Sequence, residues 1–183
     1  TVSYDDERQT KNKIEKGFNS LEISKKYVNS ALKWLETWLT DDSFKDYVPQ
    51  IAYLIKKGKW NFLLDSFYQV IPFGTGGRRG LVGIGPNRIN TWTIQASAQG
   101  HSQYLVKAHG DAARQRGLVL AYDVRRFTDT GRYAADRPNP VDTLDCRQLA
   151  EAAARVYTAN GIKVHFFDST RSTPELSFAI RHL

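Results

Sequence analysis

Residues 117–123, Gly-Leu-Val-Leu-Ala-Tyr-Asp, form an unbroken apolar run closed by a carboxylate. Such a run predicts a strand buried on both faces, the pattern of a parallel sheet covered by helices. Its surroundings agree. Upstream, residues 91–108 have Ile94, Ala98, Tyr104 and Leu105 on one side of a helical period. Downstream, residues 128–141 carry Thr, Asp, Gly, Arg and two prolines and read as a surface loop. A helix is expected from Asp142 to Asn160, stopped by Gly161. A second strand follows at Ile162–Phe167, and a last helix opens at Thr173-Pro174-Glu175 with proline in its first turn. Strands joined through helices must run parallel with right-handed crossovers. Gln69–Phe73 and Leu81–Gly85 read as two more strands around a glycine-rich segment. The expectation is an α/β fold: a three-layer α/β/α domain over residues 69–183, with a mixed, mostly parallel four-stranded sheet.

Residues 1–68 differ in kind. The segment 29–40 places Leu32, Leu35 and Leu39 with Trp34 and Trp38 on one wide apolar face. Pro49 starts or kinks the next helix, Ile51, Leu54 and Ile55 continue a stripe, and 59–67 make a short helix. These residues read as a helical N-terminal extension, its tryptophans as core anchors, and 5–27 as a solvated helix or a partly ordered lead-in.

Composition excludes several classes. The chain has 183 residues, of which 41% are hydrophobic and 12% aromatic, enough for a packed core and against wholesale disorder. One cysteine, Cys146, excludes a disulfide framework and a cysteine-rich zinc module. No run of 18 apolar residues is present and the polar start Thr1–Lys13 does not read as a secretory signal, so a soluble cytoplasmic protein is expected. The net charge of +7 raises the question of nucleic acid, but its distribution points elsewhere. Residues 1–72 carry ten Lys and one Arg, whereas 73–183 carry two Lys and thirteen Arg. Arginine forks grip phosphate and carboxylate groups with paired bonds. No zinc-finger spacing, RNP-like motif or basic zipper accompanies them, so small anions are the expected partners rather than nucleic acid, and no membrane is implicated.

The chemistry concentrates in Phe73-Gly74-Thr75-Gly76-Gly77-Arg78-Arg79-Gly80. Glycines expose consecutive N–H groups, and two arginines beside them suit an anion. A hairpin with a glycine-rich turn explains the same residues. No Lys-Ser or Lys-Thr pair makes the segment a P-loop, and flanking strands without a following helix exclude a dinucleotide fingerprint. Asp123 and Arg125, at the end of a strand, read equally as a catalytic pair or as a loop-orienting ion pair. Cys146 reads as inert, and His101, His109, His165 and His182 show no metal-ligand spacing.

The glycine segment resembles the opening motif of domain I of the α-D-phosphohexomutases, Phe-Gly-Thr-(Ser or Ala)-Gly-Leu-Arg. Phe73, Gly74, Thr75, Gly77 and Arg79 match it, while Gly76 and Arg78 depart from it. Asn87-Arg88-Ile89-Asn90, Thr93-Ile94, Gln99-Gly100, Asp123-Val124-Arg125, Leu149–Ala152, Asn160–Val164 and Ser172–Leu176 continue the resemblance in order over residues 71–183. The lead-in resembles the extension of the phosphoglucomutase and phosphopentomutase branch. The resemblance implies phosphoryl transfer between the C1 and C6 hydroxyls of a hexose through an active-site phosphoserine, hence an isomerase. It implies Mg²⁺, a hexose 1,6-bisphosphate intermediate, a phosphorylated hexose substrate and further domains of the same enzyme as partners. It places Arg79 as a phosphate-stabilising catalytic support, and Thr75, Gly76, Gly77, Arg78, Asp123 and Arg125 as phosphate-facing residues. The family's Thr-Ala-Ser-His-Asn-Pro loop and Asp-x-Asp-x-Asp-Arg metal loop do not occur in these residues, so no metal ligand is assigned and the 183 residues alone are expected to be inactive. The alternative is a non-catalytic phosphate or phosphosugar-binding module.

Overall fold

The computed structural model describes the backbone of residues 4–183 and the side chains of residues 9–183. The first three residues of the polar start lie outside the described residues. The chain forms two compact units, one from residues 1–89 and 129–142, the other from 90–128 and 143–183.

The first unit is mainly helical: α1 (Tyr4–Asn19), α2 (Lys25–Thr40), a 3₁₀ turn (Asp42–Phe44), α3 (Val48–Lys56) and α4 (Trp60–Phe67). In α2 the buried residues are Val28, Ala31, Leu35 and Trp38, a three-to-four-residue period. Trp34, Leu32 and Leu39 sit half-buried on its flanks. Trp38 is fully enclosed, stacked on Phe44 at 4.4 Å and edge-on to Phe67 at 5.5 Å. Its truncation to alanine is expected to cost about 3–5 kcal/mol in urea unfolding. Asp41 accepts from the Ser43 N–H at 2.9 Å and so starts the 3₁₀ turn, and Pro49 occupies the first turn of α3.

The segment 128–141 is not the purely superficial loop expected. Tyr133, Ala134 and Val141 are buried, and Gln50 of α3 is the reason. The Gln50 side-chain amide donates to the carbonyls of Ala134, Arg137 and Pro138 at 3.0–3.1 Å. Its oxygen accepts from the Ala134 N–H at 2.8 Å. A fully buried glutamine thereby satisfies backbone groups that a buried loop could not otherwise hide.

The expected four-stranded sheet is replaced, among the described residues, by two two-stranded ones. In the first unit, β1 (Phe73–Gly74) and β2 (Gly77–Arg78) form an antiparallel hairpin. Residues 69–72 and 81–85 do not pair with each other. Pro72 has no N–H to give, and Leu81–Gly83 turn instead to Ile89: the Ile89 N–H donates to Leu81 at 2.9 Å and the Gly83 N–H to Ile89 at 3.1 Å.

In the second unit come α5 (Thr91–His109), α6 (Asp111–Arg116), β3 (Leu118–Leu120), α7 (Cys146–Ala159), β4 (Val164–Phe166) and α8 (Thr173–His182). The strands β3 and β4 are parallel, with Leu118 opposite Val164 and Leu120 opposite Phe166. Both are half-buried rather than enclosed on two faces, and each pairs along one edge only among the described residues. The core packs Ala98, Ala153, Tyr157 and Ile162 against Ile94, Leu118 and Val164. Gly117 enters β3 at φ +74, where a Cβ would lie 2.2 Å from the Lys163 carbonyl oxygen. Asn90, Asp145 and Ser172 cap α5, α7 and α8, each in a reciprocal pair with the residue three positions on. No described helix is long and apolar enough to cross a membrane.

Candidate functional site

The β1–β2 hairpin turns through Thr75 and Gly76, with Phe73 opposite Arg78 and Gly74 opposite Gly77. Gly77 returns the chain at φ +121, a conformation that side-chain-bearing residues avoid. A Cβ added at Gly76 or Gly77 would meet nothing within 4 Å, so the turn backbone stands clear of other atoms. The hairpin walls a cavity of about 280 Å³, lined by Pro72, Phe73, Gly74, Thr75, Gly76 and Arg79. Two arginines leave this turn differently. Arg79 is exposed and has no hydrogen-bond or ion-pair partner among the described residues. Arg78 is half-buried, and its Nε and Nη1 are shielded from solvent without a hydrogen-bond partner. Shielded guanidinium nitrogens ordinarily have acceptors, so this edge of the hairpin lacks an anionic complement.

The hairpin is tethered at its base. Ile71 is buried and donates its N–H to the Pro86 carbonyl at 2.8 Å. The Asn87 side chain donates to the Asp65 carbonyl at 2.7 Å, and its backbone N–H to Ser66 at 3.0 Å. Arg88, almost fully buried, pairs with the Asp65 carboxylate and lies 5.5 Å from the Phe62 ring. Asn87-Arg88, noticed in the sequence only as part of a motif preceding a helix, thus fastens the glycine loop to α4. Tyr133 adds another tie, its hydroxyl accepting from the Ile84 N–H at 2.9 Å. Burial pushes the Tyr133 hydroxyl above its ordinary pKa, keeping it protonated.

Asp123 and Arg125 lie in the other unit, after β3. The Asp123 carboxylate accepts from Arg125 Nε at 2.7 Å and from the Arg125 backbone N–H at 3.0 Å. Arg125 returns the link to α7, its carbonyl accepting the Cys146 N–H at 3.0 Å. Asp123 is held below its ordinary 3.8, first by the Cys146 thiol hydrogen bond; burial opposes this, and the backbone N–H and guanidinium of Arg125 add to the lowering. Burial first, and then the Asp123 contact, raise the Cys146 thiol above its ordinary 9.0, which suits an inert cysteine rather than a nucleophile. Arg125 keeps most of its guanidinium in solvent, with 82% of its side chain exposed. His101 is a structural histidine, its Nδ1 2.9 Å from the Tyr157 hydroxyl. Among the described residues no three His, Cys, Asp or Glu side chains gather as a metal site.

The structure therefore gathers Thr75, Gly76, Gly77, Arg78 and Arg79 in one hairpin and joins Asp123 to Arg125 in a separate pair. The tethers at Asn87, Arg88 and Tyr133 were not foreseen, because their partners are 22 to 49 residues away in sequence.

Comparison with known proteins adds independent support. The family model for phosphoglucomutase/phosphomannomutase, alpha/beta/alpha domain I, matches residues 144–183, which hold α7, β4 and α8. A phosphoglucomutase of Staphylococcus haemolyticus is 33% identical over 122 residues, 67% of this chain and 18% of that protein. Human phosphopentomutase is 30% identical over 146 residues, 80% of this chain and 22% of that protein. A probable phosphoribomutase of Schizosaccharomyces pombe is 28% identical over 149 residues, 81% and 22% of the two chains. The chain spans about a fifth of the length of the curated relatives it matches. No solved structure gives a significant match. With the ordered motifs from Phe73 to Leu176, these matches show that the chain belongs to the α-D-phosphohexomutase superfamily, with residues 144–183 matching its domain I.

Proposed function

We propose that the chain forms part of a phosphosugar mutase, an isomerase that moves a phosphoryl group between the C1 and C6 hydroxyls of a hexose by way of an active-site phosphoserine. In this reading residues 1–68 are a helical N-terminal extension, 69–183 belong to domain I, and other domains of the same enzyme complete the site. The observation that carries it is the hairpin itself: an unpaired Arg79 lines a cavity with Thr75 and the bare backbone of Gly74 and Gly76.

The chemistry follows from charge. A phosphoryl group in transfer spreads negative charge over its oxygens, and fixed cationic and N–H donors lower the barrier most where that charge develops. Arg79 offers a guanidinium fork to two of those oxygens, and Gly76, at the tip of the turn, presents an N–H group no side chain obstructs. Thr75 adds a hydroxyl, and Arg78 a guanidinium whose inner edge lacks an acceptor. Asp123 and Arg125 take a lesser part: Asp123 engages one edge of the Arg125 guanidinium and leaves the remainder in solvent, open to an anion. A hexose 1,6-bisphosphate would be intermediate and activator. Mg²⁺ would neutralise transferred charge when bound, but the described residues do not gather a site for it. A cytoplasmic location accords with phosphorylated substrates and with the lack of a spanning helix among the described residues.

A coupled assay for conversion of glucose 1-phosphate to glucose 6-phosphate tests the reading. The 183 residues alone should give no turnover, since they contain no Thr-Ala-Ser-His-Asn-Pro loop to supply the covalent nucleophile. Turnover above background by this chain would refute that assignment. A second reading, a phosphosugar-binding module without catalysis, is favoured if the full gene product binds hexose bisphosphate yet shows no mutase activity.

A further inference from the structure

A second cavity, a shallow and widely open depression of about 570 Å³, lies between α1 and α4. One wall is Trp60, at the start of α4; the other is a single face of α1 carrying Gln9, Asn12, Lys13 and Lys16. Their spacing of three, four and seven residues stacks them on one side of the helix, opposite the buried Ile14 and Phe18.

Two features separate this face from an ordinary solvated one. The indole is seated rather than draped: a Cβ on Gly17 would fall 2.3 Å from Trp60 Cδ2 and Cε2, so only a glycine lets the ring lie on the helix backbone. Phe18 fixes it from the side, edge-on at 6.2 Å. The polar groups facing the cavity are also unengaged by any described side chain. Lys11, outside the cavity, pairs with Glu36 at 3.3 Å, whereas the side chains of Gln9, Asn12, Lys13 and Lys16 have no polar partner among the described residues.

We propose that this cavity binds a phosphorylated monosaccharide. Two adjacent ammonium groups match a phosphate dianion. Two carboxamides, each with donors and an acceptor, match sugar hydroxyls. One rigid indole wall, with its other side occupied by Gly17, matches the C–H face of a single pyranose or furanose ring. The cavity shares no residue with the Gly74–Arg79 hairpin, and the inference does not rest on the mutase reading.

The test uses the full 183-residue chain, ¹⁵N-labelled, with the Trp60 indole N–H signal identified through Trp60→Phe. Glucose 1-phosphate should shift that signal saturably. Lys13→Gln with Lys16→Gln, both at exposed positions, should weaken the response by about tenfold or more. Asn12→Leu, a second exposed variant, should weaken it as well. Glucose and inorganic phosphate, given separately, should bind far more weakly than glucose 1-phosphate. Arg79→Ala should leave the Trp60 response unchanged, so failure here and failure at the hairpin are read separately. No shift up to about 10 mM ligand, an undiminished shift in the double-lysine variant, an equal response to inorganic phosphate, or loss of the response in Arg79→Ala would each overturn the proposal.

Discussion

Two arginines define two regions of this molecule. Arg79 leaves a glycine turn, lines a cavity and meets no partner among the described residues. Arg125 stands on the loop after β3 with its guanidinium on Asp123, 2.7 Å away. Both stand in motifs of the same superfamily: the resemblance makes Arg79 a catalytic support and Arg125 phosphate-facing, while the residues themselves read Asp123 and Arg125 equally as a catalytic pair or a loop-orienting ion pair. The structure separates them by what already satisfies each one. A guanidinium paired with a carboxylate has less to gain from a second anion, whereas an unpaired one beside bare N–H groups retains its full capacity.

The largest expected difference lies in ligand binding. Arg79→Ala should weaken binding of a hexose bisphosphate at the hairpin by about ten- to a hundredfold, the worth of a charge-assisted hydrogen bond or two. Arg125→Ala should cost about three- to tenfold, because its carboxylate partner already offsets its charge. Isothermal titration of both variants measures the ratio. Equal losses would erase the distinction between the two regions.

The next contrast is between neighbouring glycines. Gly77→Ala forces an alanine into φ +121 and should destabilise the first unit by roughly 1–3 kcal/mol in urea unfolding. Gly76→Ala meets open space at an ordinary φ and should be neutral, or stabilising by up to about 1 kcal/mol. Opposite signs one residue apart would confirm that the turn needs glycine for its backbone at 77 alone.

The smallest effects concern Cys146. Its raised thiol should make alkylation by iodoacetamide at pH 8 slower than for a free cysteine thiol. Asp123→Asn removes the carboxylate that raises it and should speed the reaction by roughly two- to fivefold. The pH dependence follows in sign. Because Asp123 is depressed below 3.8 in the folded state, the link to Arg125 and Cys146 is fully present above that value and lost as pH falls through the folded one. Cys146 protection against alkylation should therefore persist down to mildly acidic pH. An alkylation rate unaffected by Asp123→Asn would show that the thiol–carboxylate contact does not govern this corner.

Much of this was legible in local sequence, where local physics decides. Pro49 in the first turn of α3, Pro174 in the first turn of α8, and the runs that become Leu118–Leu120 and Val164–Phe166 are short-range signals. The start of α7 moved from Asp142 to Cys146 because Asp145 is the residue whose carboxylate caps the helix, accepting from the Gln148 N–H at 2.8 Å. Long-range satisfaction was not legible. Gln50 gives no sign in the sequence that it will hold residues 134–138, yet it turns an expected surface loop into part of a core. Nor do Leu81 and Gly83 announce that their hydrogen bonds go to Ile89 instead of another strand, which is why the expected four-stranded sheet does not form among the described residues. At the candidate site the residue types were legible, since glycines and arginines speak through composition. Their state of pairing was not, and that state distinguishes Arg79 from Arg125.

The most direct test of the central claim follows the backbone amide signals of Gly76 and Gly77 in the ¹⁵N–¹H spectrum as a hexose 1,6-bisphosphate is added. A saturable shift of both amides, abolished by Arg79→Ala, is the predicted result. Amides that do not move at saturating ligand, or that move identically in the Arg79→Ala protein, would contradict the assignment of this hairpin as the phosphate site.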